Sequence, residues 1–143
     1  MSYRARGVRW SPRQHQAFTW PAILVGVILV LVGLAIILFW ADFISSGGLG
    51  QGLATVENNV FIVPHIAAEL LTALLAIVGG FGLFIGRGWG MATALVALGG
   101  LLYTTVNSLS HSLRNAPELT PVFLGVLAAT LLSFIALHYS RSR

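Results

Sequence analysis

The stretch from Pro21 to Phe43, PAILVGVILVLVGLAIILFWADF, decides the fold. No charged side chain interrupts it before Asp42. At a rise of 1.5 Å per residue, about 20 such residues form a helix of roughly 30 Å, the thickness of a bilayer's hydrocarbon core. Trp20 and Trp40 bracket the run, so both indoles fall at headgroup depth as interfacial anchors. Pro21 suits a first helical turn, where its missing N–H costs nothing. Arg4, Arg6, Arg9 and Arg13 precede the run as they would precede a signal peptide. The apolar core is too long for one, however, and no A-x-A cleavage pattern follows, so the run reads as an uncleaved span.

Three further apolar runs have the same character: from Val60 or Pro64 (about residues 62–85), from Trp89 to Ser110, and from Thr120 to Tyr139. Gly86-Arg87-Gly88 makes a tight connection, and Thr120-Pro121 reads as an N-cap followed by proline at the first helical position. Ile44 to Val63 is left as a long outer connection, with Ser45-Ser46-Gly47-Gly48 as its flexible start and an interfacial segment after it. The expected fold is therefore all-α, a polytopic bundle of four transmembrane helices with spans near 21–43, 62–85, 89–110 and 120–139. Residues 1–20 form an Arg-rich N-terminal segment lying against anionic headgroups, and residues 140–143 a short tail.

Composition agrees. The chain has 143 residues, 57% hydrophobic and only 8% charged, where a soluble domain carries roughly 25% charged residues. Mean hydropathy is +0.87. The loops are too short for a catalytic domain outside the membrane. The formal charge of +4 does not point to nucleic acid, because the arginines sit at the ends of apolar runs and not on a polar face. They orient the chain instead. Arg4, Arg6, Arg9, Arg13, Arg87, Arg141 and Arg143 fall on one side and only Arg114 on the other, which puts both termini in the cytoplasm of a cell with an inner or plasma membrane. There is no cysteine, so thiol catalysis, thiolate-bound zinc and iron–sulfur ligation by this chain are excluded.

In lipid, helices associate by close backbone approach and interhelical hydrogen bonds. Small residues at helical spacing mark the expected contact faces: Gly26 and Gly33 on the first helix; Ala68, Thr72, Ala76 and Gly80 on the second; Ala92 and Gly100 on the third; Gly125, Ala129 and Ser133 on the fourth. The few polar side chains within the spans also gather. His65, Glu69 and Thr72 share a face of the second helix, and Thr104, Asn107, Ser108 and His111 a face of the third, with Tyr103 beside it. Both sets fall in the outer half, where one pocket would hold them. Glu69 is the most informative of them, because a carboxylate in hydrocarbon costs several kcal/mol unless paired, hydrated or protonated. Its bland role is a hydrogen bond to Asn107, Tyr103 or Thr104 that sets helix register. Its sharper role is to bind a ligand, a proton or a metal.

His65, Glu69 and His111 form a partial ligand set for a metal or haem, without a complete H-E-x-x-H motif or the Glu-x-x-His pairs of bundle metalloproteins. His15 and His138 lie on the cytoplasmic side as surface or interface residues. No glycine-rich stretch is a phosphate loop, and no serine has nucleophile-elbow flanks, so no catalytic residue is assigned.

From His65 to Ser108 the chain resembles the DoxX-like small membrane proteins. The resemblance is carried by His65-Ile66-Ala67-Ala68-Glu69-Leu70-Leu71-Thr72-Ala73, the Gly79-Gly80 and Gly82 region, the Arg87 turn and an Ala/Leu/Gly-rich third helix. It implies four spans with cytoplasmic ends and a place near quinone-coupled sulfur oxidation or oxidative-stress complexes. Three functions follow as expectations: a non-catalytic accessory or scaffold subunit beside a redox or transport complex; a quinone, small-molecule or metal site in the outer pocket; and a small proton-linked transporter. The expected partners are the lipid bilayer, a membrane protein or a second copy of the chain, and no nucleic acid.

Overall fold

The computed structural model describes residues 20–48, 50 and 56–141, so the Arg-rich N-terminal segment and its headgroup contacts lie outside the described residues. Four helices organise the chain: α1 (Trp20–Ser45), α2 (Val56–Phe84), α3 (Gly88–Asn115) and α4 (Thr120–Arg141), with a 3-10 turn at Pro117–Leu119. No strand occurs among the described residues. All four helices are long and apolar enough to cross a membrane.

The helix ends depart from the sequence reading in one informative place. α2 begins at Val56 and continues through Pro64. Proline removes one N–H from the helical ladder but does not oblige the helix to start there, and within a membrane such interruptions are tolerated. The connection between α1 and α2 is accordingly much shorter than Ile44–Val63. α2 ends as expected, with Gly86 at a φ of 63°, a left-handed turn that glycine adopts without strain. At the opposite end, the buried Ser112 hydroxyl lies 3.2 Å from the Thr120 hydroxyl and ties the last turn of α3 to the first of α4.

α2 packs along both α1 and α3, whereas α4 leans on α3 and, over a shorter length, on α1. One core joins them, built from Val25 and Leu29 of α1, Ala76 and Leu83 of α2, Met91, Ala94, Ala97, Leu98 and Leu101 of α3, and Leu137 of α4. The three alanines, Ala76, Ala94 and Ala97, reflect how near the backbones come. A Cβ placed on Gly82 would lie 2.5 Å from Gly90 Cα, and one on Gly79 2.7 Å from the Ala94 nitrogen. On the other flank of α2, a Cβ on Gly33 would lie 2.8 Å from the Ala73 carbonyl oxygen, and one on Gly80 2.6 Å from that of Gly26. Without hydrophobic segregation from the solvent, such close contact supplies the dispersion energy that joins membrane helices.

The expected contact faces hold on α1 and α2, and Gly100 of α3 abuts Thr72. Two positions differ. Ala92 is exposed, its place at the α2 contact being taken by Gly90 and Ala94. Gly125 is exposed with no neighbour within 4 Å of a Cβ built there, so α4 makes its contacts through Thr130, Ser133 and Leu137.

Candidate functional site

Glu69 is delivered to the bundle interior by the turn of α2 that carries Ile66 and Ala73 into the core, and its carboxylate touches α1, α2 and α3 at once. Trp40 of α1 donates its indole N–H to Oε2 at 2.7 Å. Ser108 of α3 donates its hydroxyl to Oε1 at 2.9 Å. His65, one turn earlier on α2, places Nε2 3.3 Å from the same Oε1. The residue is 9% exposed, and Trp40 only 6%. A carboxylate so enclosed requires several donors, and this one draws them from three different helices.

Aromatic rings form a roof over the clasp. The Trp40 indole meets the Phe39, Phe43 and His65 rings edge to face, with centroids 5.3, 5.3 and 6.1 Å away. Such a geometry fixes the indole plane, and with it the direction in which the N–H points. Among the described residues, no buried side-chain nitrogen or oxygen lacks a hydrogen-bond partner.

Of the residues singled out in the sequence, the structure brings His65, Glu69 and Ser108 together. Thr72 lies one turn deeper, bonded to the Ala68 carbonyl at 2.8 Å and pressed against Gly100. Thr104 is buried, its hydroxyl directed to the Leu101 carbonyl at 3.4 Å. Tyr103, Asn107 and His111 are exposed on another face of α3. Asn107 bonds back to the Tyr103 carbonyl, while Asn115 approaches His111 Nδ1 at 3.2 Å. The proposed structural partners of Glu69 among these, Asn107, Tyr103 and Thr104, are therefore replaced by Ser108 and Trp40. His111 also stands apart from His65 and Glu69, and no group of three His, Cys, Asp or Glu among the described residues is placed to hold a metal.

Trp40 is the residue that sequence reasoning misplaced. Its position at the end of an apolar run suggested a headgroup anchor, yet it is buried and hydrogen-bonded. A signal was present: Glu69 is the only acidic residue within the second, third and fourth apolar runs, and an indole at the same depth on a neighbouring span is a donor without an acceptor of its own. Chemically, the arrangement is a hydrogen-bonded clasp among three helices. His65, about one-third exposed, gives it an open side.

A family model described as a domain of unknown function (DUF8058) matches residues 22–142. It is not a DoxX model. Uncharacterised proteins of Mycobacterium tuberculosis and Mycobacterium bovis are 33% identical to the chain over 142 residues, covering 89% of it and 59% of their own length. The chain thus spans about three-fifths of the curated relatives it matches. No solved structure matches.

Proposed function

The chain belongs to the family described as a domain of unknown function (DUF8058), and we propose that it is a small integral membrane protein serving as a non-catalytic accessory or scaffold subunit beside a redox or transport complex. The observation that carries this reading is the engagement of the Glu69 carboxylate by Trp40, Ser108 and His65, from three helices. These bonds spend the carboxylate on holding the bundle together. The DoxX-like resemblance supports a redox neighbourhood. The placement of Arg87 and the end of α4 at one end of the bundle, with Arg114 at the other, supports cytoplasmic termini in an inner or plasma membrane.

Affinity purification of the full chain from its own membrane in mild detergent tests the assignment. A defined partner polypeptide in fixed stoichiometry is expected. A chain that leaves the membrane folded and always alone would overturn it.

A second reading rests on the open side of His65. A quinone headgroup, another small molecule or a metal approaching there would meet the imidazole first and Glu69 behind it. Glu69→Gln should then abolish ligand retention while the bundle stays folded, and equal retention in that variant would remove the idea.

A further inference from the structure

Where the helices face away from one another, three of them present only hydrocarbon. Every exposed residue along the middle of α1, α2 and α4 is apolar or glycine, as contact with lipid requires. α3 is the exception. Tyr103 is 66% exposed, and Asn107, one turn on, is exposed beside it. α3 has 28 residues, with Arg87 just before its start and Arg114 in its last turn. A charge at each end sets the helix across the bilayer. Tyr103 then lies roughly 2 Å and Asn107 roughly 8 Å along the axis from the helix midpoint, both within a hydrocarbon core of about 30 Å. Helical side chains lean toward the helix N-terminus, here the Arg87 end, so neither group reaches back to the nearer headgroups.

Their hydrogen-bonding capacity is largely unused. Asn107 donates one amide hydrogen to the Tyr103 carbonyl at 3.2 Å, which leaves its carbonyl oxygen and second N–H. The Tyr103 hydroxyl has no partner among the described residues. Thr72, Thr93, Thr130, Ser133 and Ser140 instead turn their hydroxyls onto a carbonyl one turn back on their own helix, a device too short for tyrosine. A hydroxyl and an amide bared to lipid chains are costly, and in a membrane a neighbouring helix relieves them.

The surrounding surface is shaped for such a helix. Ala92, Val96, Gly99, Tyr103 and Val106 are all exposed and recur at alternating spacings of four and three, the period of a left-handed helix pair. A Cβ on Gly99 would meet nothing within 4 Å, so another backbone can approach there. The face is also complementary to itself. Tyr103 and Asn107 are each both donor and acceptor, and a two-fold axis along the membrane normal returns the same groups to them on a helix running in the same direction. At the end of the helix the exposed Arg114 and Glu118 have no ion-pair partner among the described residues, and the axis offers each its counterpart.

We propose that the outward face of α3 is a homodimer interface: two copies of the chain pair α3 against α3 around Gly99, with Tyr103 and Asn107 hydrogen-bonded to the second copy. The interface lies on the side of α3 opposite Ser108 and the Glu69 clasp, and it forms with or without a further subunit.

Because the chain has no cysteine, a single introduced one reports its own contacts. In membranes containing the full chain, oxidation of Val96→Cys and of Val106→Cys should give a disulfide-linked dimer. Leu31→Cys on α1 and Leu132→Cys on α4, 61% and 65% exposed, should not. Gly99→Leu enters open space in the single chain, so it should fold with native helicity and yet abolish the crosslink of Val106→Cys. Asn107→Leu tests the same contact without bulk at the glycine. Energy transfer between labelled copies in phosphatidylcholine vesicles should show it weakening self-association by roughly three- to thirtyfold, the range of interhelical hydrogen bonds in membranes. Equal crosslinking at all four positions would mean random encounter and overturn the interface, as would an undiminished dimer in folded Gly99→Leu. Crosslinking of Val106→Cys to a different polypeptide, with none between copies, would overturn the second copy as the occupant.

Discussion

Beside the Gly86 turn, α2 and α3 meet backbone against backbone, Gly82 on Gly90 and Gly79 on Ala94, whereas about 20 Å further along α2 the same pair is bridged by the Glu69 carboxylate and the Ser108 hydroxyl. The first contact has no side chain on its tightest members. Its energy is dispersion between surfaces that already touch, so it is intolerant of any added atom and indifferent to charge. The second has room for side chains but depends on their chemistry, because each donor has one acceptor and the acceptor has little access to water. α1 shares both devices, through Gly26 and Gly33 against α2 and through Trp40 at Glu69. α4 shares neither, and it is the helix with the least buried surface.

If the glycine contact is the steric keystone, Gly90→Leu should have the largest effect of any single change, preventing recovery of a folded bundle from detergent. Gly90→Ala should still cost about 1–3 kcal/mol by overpacking, measured by titration with a denaturing detergent. A tolerated leucine there would mean that the helices separate freely and the clasp alone sets their spacing.

The clasp predicts a different pattern, sensitive to chemistry at nearly constant volume. Glu69→Leu leaves the Trp40 and Ser108 donors without their acceptor and should cost about 1–3 kcal/mol in the same titration. Trp40→Phe and Ser108→Ala should each cost about 1 kcal/mol, and because they share one carboxylate the double variant should deviate from additivity by at least ~0.5 kcal/mol. Strict additivity would mean that the two hydrogen bonds are independent and that Glu69 does not couple α1 to α3.

The smallest effect is expected on α4, with opposite sign. Gly125→Ala enters open space on an exposed helical face and should raise stability by about 0.5–1 kcal/mol through helix propensity. A loss of stability would reveal that another surface closes on Gly125 in the membrane.

The element order and the approximate limits of α1, α3 and α4 are legible in the chain, as are Gly26, Gly33, Ala76 and Gly80 as contact residues, since each follows from the local period of apolar and small side chains. The start of α2 is not, because Pro64 carries the same local signal at the beginning of a helix and within one. Ala92 and Gly125 show the limit of small-residue spacing: it marks faces able to pack closely, without saying which of them meets a neighbour. Tyr103, Asn107 and His111 show the same limit for polar spacing, since a face rotated away from the bundle keeps the period of one turned into it.

Four apolar runs, separated by short charged or glycine-bearing turns and nearly devoid of charge within, leave the chain a single class of structure, because unpaired backbone groups cannot remain in hydrocarbon and only helices satisfy them within one segment. That conclusion needs no knowledge of what touches what. The partners of Glu69 do need it: Trp40 is 29 residues away and Ser108 39, and their meeting depends on how α1 and α3 rotate about α2. Those rotations are set by which glycines come into contact, a relation among three helices that no window along one of them contains.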